Sequence, residues 1–196
     1  MIKIDKLNIL KQDYVNCHKC KLCESRTQVV FGNGNINCDL MIIGQSPGRT
    51  EDLEGIPFVG DAGQILDSIL KEAKIYRKQC YITNSLLCFV KPGIAPETGW
   101  VASCNSRLHA EIDIIKPKII VTLGKNALQA LTHTADPIWR HRKPTKIFNG
   151  VWHIGTYHPS AAIYTGNTGI LDSIAEDFKK AKKLLSNLQF IKQELI

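Results

Sequence analysis

No stretch of this 196-residue chain approaches the ~20 consecutive apolar residues that a membrane span needs. The N-terminus, Met1-Ile2-Lys3-Ile4-Asp5-Lys6, also lacks the apolar core and small-residue cleavage site of a secretory signal. A cytoplasmic protein with no membrane attachment is the expectation. Internal repeats and low-complexity tracts are absent too, so the whole chain, 1–196, is read as a single domain, and 44% hydrophobic content is enough for a true core. Without an export signal, the seven cysteines argue against a disulfide framework and for metal ligation or plain burial. Acidic residues are the minority charge, 18 Asp and Glu against 25 Lys and Arg, and the net charge of +7 favours a polyanionic partner, with nucleic acid first among them. A monomer is the working expectation.

What is present is a series of apolar runs that end in polar punctuation. Leu40-Met41-Ile42-Ile43 runs straight into Gly44-Gln45-Ser46-Pro47-Gly48, where Gly admits positive φ and Pro cannot continue a ladder, so a buried strand stops there abruptly. Tyr81-Ile82-Thr83 ends at Asn84, and the strand 151–157 ends at His158-Pro159-Ser160. A β-branched run at 118–123 gives a fourth strand, closed by Gly124. Between these lie helical periodicities: 63–75, a helix beginning at Pro96-Glu97 with Cys104 on its inward face, one after Gly124, and a long amphipathic helix from Ile170. The loop 55–60 reads as irregular and exposes Phe58. Strands near 40, 81, 118 and 152 separated by helices require right-handed crossovers. The expected fold is therefore α/β, a three-layer α/β/α sandwich around a mostly parallel four-stranded sheet. Ligands of such sheets bind at the carboxyl ends of the strands, so Gly44, Gln45, Ser46, Asn84 and His158 would converge on one crevice.

Cys17-His18-Lys19-Cys20-Lys21-Leu22-Cys23 holds two overlapping C-x-x-C units, either of which can bring two thiolates to one metal or cluster. Two further ligands are then needed. Cys38 and Cys80 stand beside strands and read as buried thiols.

These motifs, taken in order, resemble those of the uracil-DNA glycosylase superfamily. They are Gly44-Gln45-Ser46-Pro47-Gly48 with Glu51-Asp52, Pro57-Phe58-Val59-Gly60-Asp61-Ala62-Gly63, Thr83-Asn84, and Tyr157-His158-Pro159-Ser160-Ala161. The chain is most similar to the iron-sulfur branch called family 4. That resemblance implies a [4Fe-4S] cluster on Cys17, Cys20, Cys88 and Cys104, soft sulfur ligation being what such clusters require. Zinc suits four cysteines as well, and Cys23 competes with Cys17 as a partner of Cys20. The N-terminal segment of about 14–25 would pack as part of this centre.

The same resemblance implies the function. A glycosylase takes a flipped base from duplex DNA, or accepts a single strand, and reads the exposed edge. Phe58 would stack on uracil, Asn84 would bond its polar edge, and His158 would face the O2 oxygen, helped by backbone amides around Gln45 and Ser46. The family 4 pattern has Glu then Ala where this chain has Gln45 and Ser46. A branch with a catalytic carboxylate has Asp at the place of Ser46, so water here would be positioned rather than deprotonated early. Ile163 or Tyr164 would wedge into the gap left by the flipped base, and Arg140, Arg142 and Lys143 would contact phosphates. Two other readings are a glycosylase for a different damaged or modified base, and a catalytically weak paralogue that recognises uracil-containing DNA.

Overall fold

The computed structural model describes residues 1–194. In chain order the elements are α1 (Lys3–Val15), β1 (Asn33–Gly34), β2 (Leu40–Gly44), α2 (Arg49–Glu54), α3 (Asp61–Glu72), β3 (Cys80–Asn84), α4 (Thr98–Ile115), β4 (Ile119–Leu123), α5 (Lys125–Thr132), β5 (Thr145–Lys146), β6 (Trp152–Thr156), α6 (Ser160–Thr165) and α7 (Gly169–Glu194). Short 3-10 turns at Lys21–Glu24 and Ile138–His141 join some of them. Among the described residues no helix is long and apolar enough to cross a membrane.

The sheet has six strands in the order β1-β3-β2-β4-β6-β5, which corrects the expected four. The four expected strands form its parallel centre, and two-residue antiparallel strands, β1 on β3 and β5 on β6, cover its edges. Neither edge piece carries an apolar alternation that a sequence reading could detect. Their exposed Asn33-Gly34 and Thr145-Lys146 look like loop.

Alternation along the central strands sorts the core into two faces, since successive side chains point oppositely. Leu40, Ile42, Ile82, Val121 and Ile154 pack under α3 and α7 through Leu66, Leu70, Ile174 and Phe178. Met41, Ile43, Tyr81 and Ile120 face α4 and α5 through Leu108, Ile112, Ile115, Ala127 and Leu131. The three-layer sandwich follows from that two-sided pattern. In α3 the helix starts two residues earlier than the periodicity indicates, capped by Gly60.

From β2 the chain crosses first to β3 on one side and then to β4 on the other, so the order reverses beside β2. Gly44 pairs with Asn84, and Leu123 with Thr156, which brings four strand ends to one edge of the sheet. A crevice opens at such a reversal because the following connections diverge to opposite faces.

Candidate functional site

That crevice is a cavity of about 940 Å³, lined by Gln45, Ser46, Phe58, Asn84, Tyr157 and His158 among others. All five polar and aromatic residues expected at the site, contributed by three strand ends and one loop, are therefore brought together. Gly44 makes the close approach possible. A Cβ there would meet the Phe58 ring at 2.5 Å and collide with Asn84 Oδ1.

Phe58 is buried, with 5% of its surface accessible, so its expected exposure is corrected: the ring faces the cavity rather than solvent. Its backbone has φ 56°, a left-handed conformation unusual for a bulky residue. The surroundings hold it there. Glu51 Oε1 accepts the next two backbone N–H groups, from Val59 at 3.0 Å and Gly60 at 2.9 Å. Gly63 leaves room for the Phe58 carbonyl, which a Cβ would strike. The neighbouring Asp52 is wholly buried and accepts the Thr27 N–H with both oxygens, at 3.0 and 2.9 Å. The two motif acids thus brace the site's backbone, a role that their type alone does not reveal.

His158 stands 5.9 Å from Phe58, ring centroid to ring centroid. Its Nδ1 accepts the Ser160 backbone N–H at 3.2 Å and lies 2.7 Å from Ser160 Oγ. An amide can only donate, so Nδ1 is unprotonated and the single ring proton of the neutral imidazole sits on Nε2. Burial pushes its pKa down to about 4, against a smaller upward pull from Glu51. At neutral pH the ring is an uncharged donor.

Asn84 is 1% exposed, and its Oδ1 has no hydrogen-bond partner among the described residues. Buried amide oxygens are nearly always paired, and this unpaired one belongs to a residue that lines the cavity. Beneath it lies a buried network. Arg107 donates through one terminal nitrogen to the carbonyls of Asn84 at 2.7 Å and Ser85 at 2.9 Å, and through the other to Glu111 Oε2 at 2.7 Å. Glu111 also accepts from Tyr81 at 2.7 Å and Thr83 at 2.9 Å. The sequence signal for this pair was available: two opposite charges four residues apart, on the stripe of α4 that holds Cys104, Leu108 and Ile115. Gln45 is fixed as well, its Oε1 accepting from Asn126 Nδ2 at 2.6 Å and its carbonyl from Ser85 Oγ at 2.8 Å.

At the mouth, Ile163 and Tyr164 on α6 line the cavity and stay 51% and 77% exposed. The expected phosphate contacts divide. Arg140 is exposed, pairs with Asp136 at 3.1 Å and lies over the Trp139 ring, and Lys143 is exposed. Arg142 instead turns inward, donating to the fully buried Asp177 at 2.7 Å and to the Ser173 carbonyl at 2.9 Å. Asp177 also takes Thr156 Oγ1 at 2.7 Å, so Arg142 fastens its loop to α7 and the end of β6. Arg49, Lys91 and Lys125 reach the cavity lining and were not singled out from sequence.

A second constellation lies behind the β3 end. Cys88 and Cys104 are buried in an apolar cluster with Tyr14, Leu22, Leu86 and Leu87, and Cys17 and Cys20 pack against it. Cys23 is half-buried and lies outside that packing. Burial pushes the Cys88 thiol up to about 11, opposed by Arg26, whose guanidinium donates to its sulfur at 3.3 Å. Among the described residues no three His, Cys, Asp or Glu side chains stand close enough to hold a single metal ion. Cys38 and Cys80 are buried thiols on the opposite end of the sheet, as their position beside strands indicated, raised by burial to about 11 and about 12.

Comparison with known proteins places this geometry. Residues 31–186 match the sequence profile of the uracil DNA glycosylase superfamily. The chain is 35% identical over 195 residues to a type-4 uracil-DNA glycosylase of Sulfurisphaera tokodaii, covering 92% of this chain and 86% of that protein. It is 34% identical to proteins of the same description from Saccharolobus solfataricus, over 94% of this chain and 88% of the other, and from Thermotoga maritima, over 96% of both.

Proposed function

The chain belongs to the uracil DNA glycosylase superfamily, and we propose that it is a DNA repair glycosylase that hydrolyses the N-glycosidic bond of uracil in DNA and leaves an abasic site. The observation that carries this is the buried Asn84 amide, with an oxygen unpaired, beside an aromatic ring and a neutral histidine donor in one cavity. A cavity of about 940 Å³ falls within the usual range of ligand sites and admits a flipped nucleotide.

Each group then has one task. Phe58 stacks on the base, and Asn84 pairs with its polar edge, where an amide both donates and accepts. As the bond from C1′ to the ring nitrogen lengthens, the departing base gains negative charge on O2. The Nε2–H of His158 donates to that oxygen, and backbone amides near Gln45 and Ser46 assist. A water adds its oxygen to the sugar cation at C1′, and the proton it releases passes through solvent to the departing base anion, which leaves as neutral uracil. The Ser46 hydroxyl stays un-ionised and is too weak a base to take that proton, so it orients the water. Gln45, tethered by Asn126, keeps its amide beside the same strand end.

Cys17, Cys20, Cys88 and Cys104 would hold a [4Fe-4S] cluster. All four side chains belong to one apolar cluster, and four thiolates are the soft ligand set that such a centre takes. When bound, the cluster supplies iron–thiolate bonds that tie the N-terminal segment to the chain following β3. Ile163 or Tyr164 fills the vacated stack, and Arg140 and Lys143 meet phosphates, while Arg142 acts through Asp177.

Single-turnover assays with uracil-containing single strands and duplexes, followed by alkaline cleavage, test the reading. Excision of uracil above other bases in a lesion panel is the expected result. Release of a different base alone assigns another specificity, and tight binding with no release identifies a recognition protein instead.

A further inference from the structure

Arg26 has an unusual partner. Its backbone N–H donates to the Leu22 carbonyl at 3.2 Å, which fixes the start of the side chain just after the Lys21–Glu24 turn. From there the half-buried guanidinium reaches across 62 positions of sequence to Cys88 Sγ at 3.3 Å. Asp52, which lies against the adjacent Thr27, takes the Thr27 N–H and Arg49, and Glu24, two residues before Arg26, is exposed. Arginine is always charged and gains most from an anionic acceptor. A neutral thiol is a weak acceptor, so a guanidinium committed to sulfur is suited to a sulfur that carries negative charge, as a metal-bound thiolate does.

We propose that Arg26 tunes the iron–sulfur centre, its charge-assisted hydrogen bond to Cys88 Sγ withdrawing electron density from that ligand and making the cluster harder to oxidise. This rests on the reading of Cys17, Cys20, Cys88 and Cys104 as cluster ligands. Hydrogen bonds to ligand sulfur and local net charge are established controls of cluster potential. Arg26 touches neither the cavity nor the reacting atoms, so it acts on the centre and not on the chemistry of excision.

The test uses the purified holoprotein and ferricyanide, which takes one electron from the cluster and becomes ferrocyanide. Loss of the absorption near 400 nm is followed in the wild type and in Arg26→Lys, Arg26→Gln and Arg26→Met. Arg26→Lys keeps a charge and should bleach at close to the wild-type rate. Arg26→Gln and Arg26→Met remove it and should bleach several-fold faster, with unchanged uracil excision before oxidation. Two neutral replacements guard against one failing to fold, and thermal melting identifies such a failure. Equal bleaching of all coloured variants overturns the tuning role. A wild type that is colourless and iron-free overturns the cluster reading itself.

Discussion

Removing the imidazole of His158 is the sharpest perturbation of the proposed chemistry. The ring offers a single proton, held on Nε2 because Nδ1 accepts from Ser160, so His158→Ala deletes the donor outright. Loss of one preorganised donor to a developing oxyanion costs on the order of 100 to 1000-fold in rate, about 2.7–4 kcal/mol. The loss should appear in the single-turnover excision rate with enzyme in excess. Affinity for uracil-containing DNA should change far less, because the ground-state oxygen bears little charge and the bond strengthens on the way to the transition state. Ser160→Ala removes the hydroxyl but leaves the backbone N–H that fixes the tautomer, so its cost should stay within about tenfold, the scale of one neutral hydrogen bond. The pH profile adds a separate check. With the ring depressed to about 4, the rate should be level from neutrality down to about pH 5, with no inflection near the ordinary histidine value of about 6.5. Near-normal excision by His158→Ala, or an inflection near 6.5, refutes the assignment.

Cys88→Ala should lose the absorption near 400 nm and most bound iron, read by spectrophotometry and metal analysis; stoichiometric zinc in a colourless wild type contradicts the iron–sulfur assignment. DNA affinity should fall steeply with salt, and neutralising Arg140 and Lys143 together should flatten the slope of log affinity against log salt by up to about two charges' worth. Arg142→Ala should act differently, costing about 1.5–3 kcal/mol in denaturant unfolding because it strips the guanidinium from the buried Asp177, which Lys180 and Thr156 still hold. Stability should also decline on acidification between about pH 6.5 and 4. His153, fully buried, and His158 are both depressed to about 4 by burial, so across that window the unfolded chain binds more protons than the folded one. Thermal melts at several pH values check the sign.

The strand ends were legible because they break abruptly. Gly44, Asn84 and His158 each close an apolar run with a residue that cannot simply extend it, and the parallel order then forces them to one edge. The roles of Glu51 and Asp52 were not legible. Their partners are backbone groups and side chains set by tertiary packing, and nothing local marks a carboxylate as serving the amides of Val59 and Gly60. Arg142 shows the converse. In sequence it belongs to a basic run with Arg140 and Lys143, and only the fold reveals that a buried aspartate 35 residues away has claimed it. The edge strands β1 and β5 escaped because two residues carry too little pattern.

The stretch bracketed by Cys88 and Cys104 has a consequence for the life of the protein in a cell. Phe89, Val90, Lys91, Pro92, Gly93 and Ile94 form part of the cavity lining, and both brackets belong to the same cysteine cluster. If Cys88 and Cys104 hold the proposed cluster, a copy that never acquires it, or loses it to oxidation, would loosen the cavity-lining segment between them. Proteases cut where a chain opens most readily, and intracellular degradation follows the population of such open forms. Damaged copies would then be cleared before they could occupy uracil-containing DNA without acting on it, and the abundance of the enzyme would follow the supply of iron and sulfur.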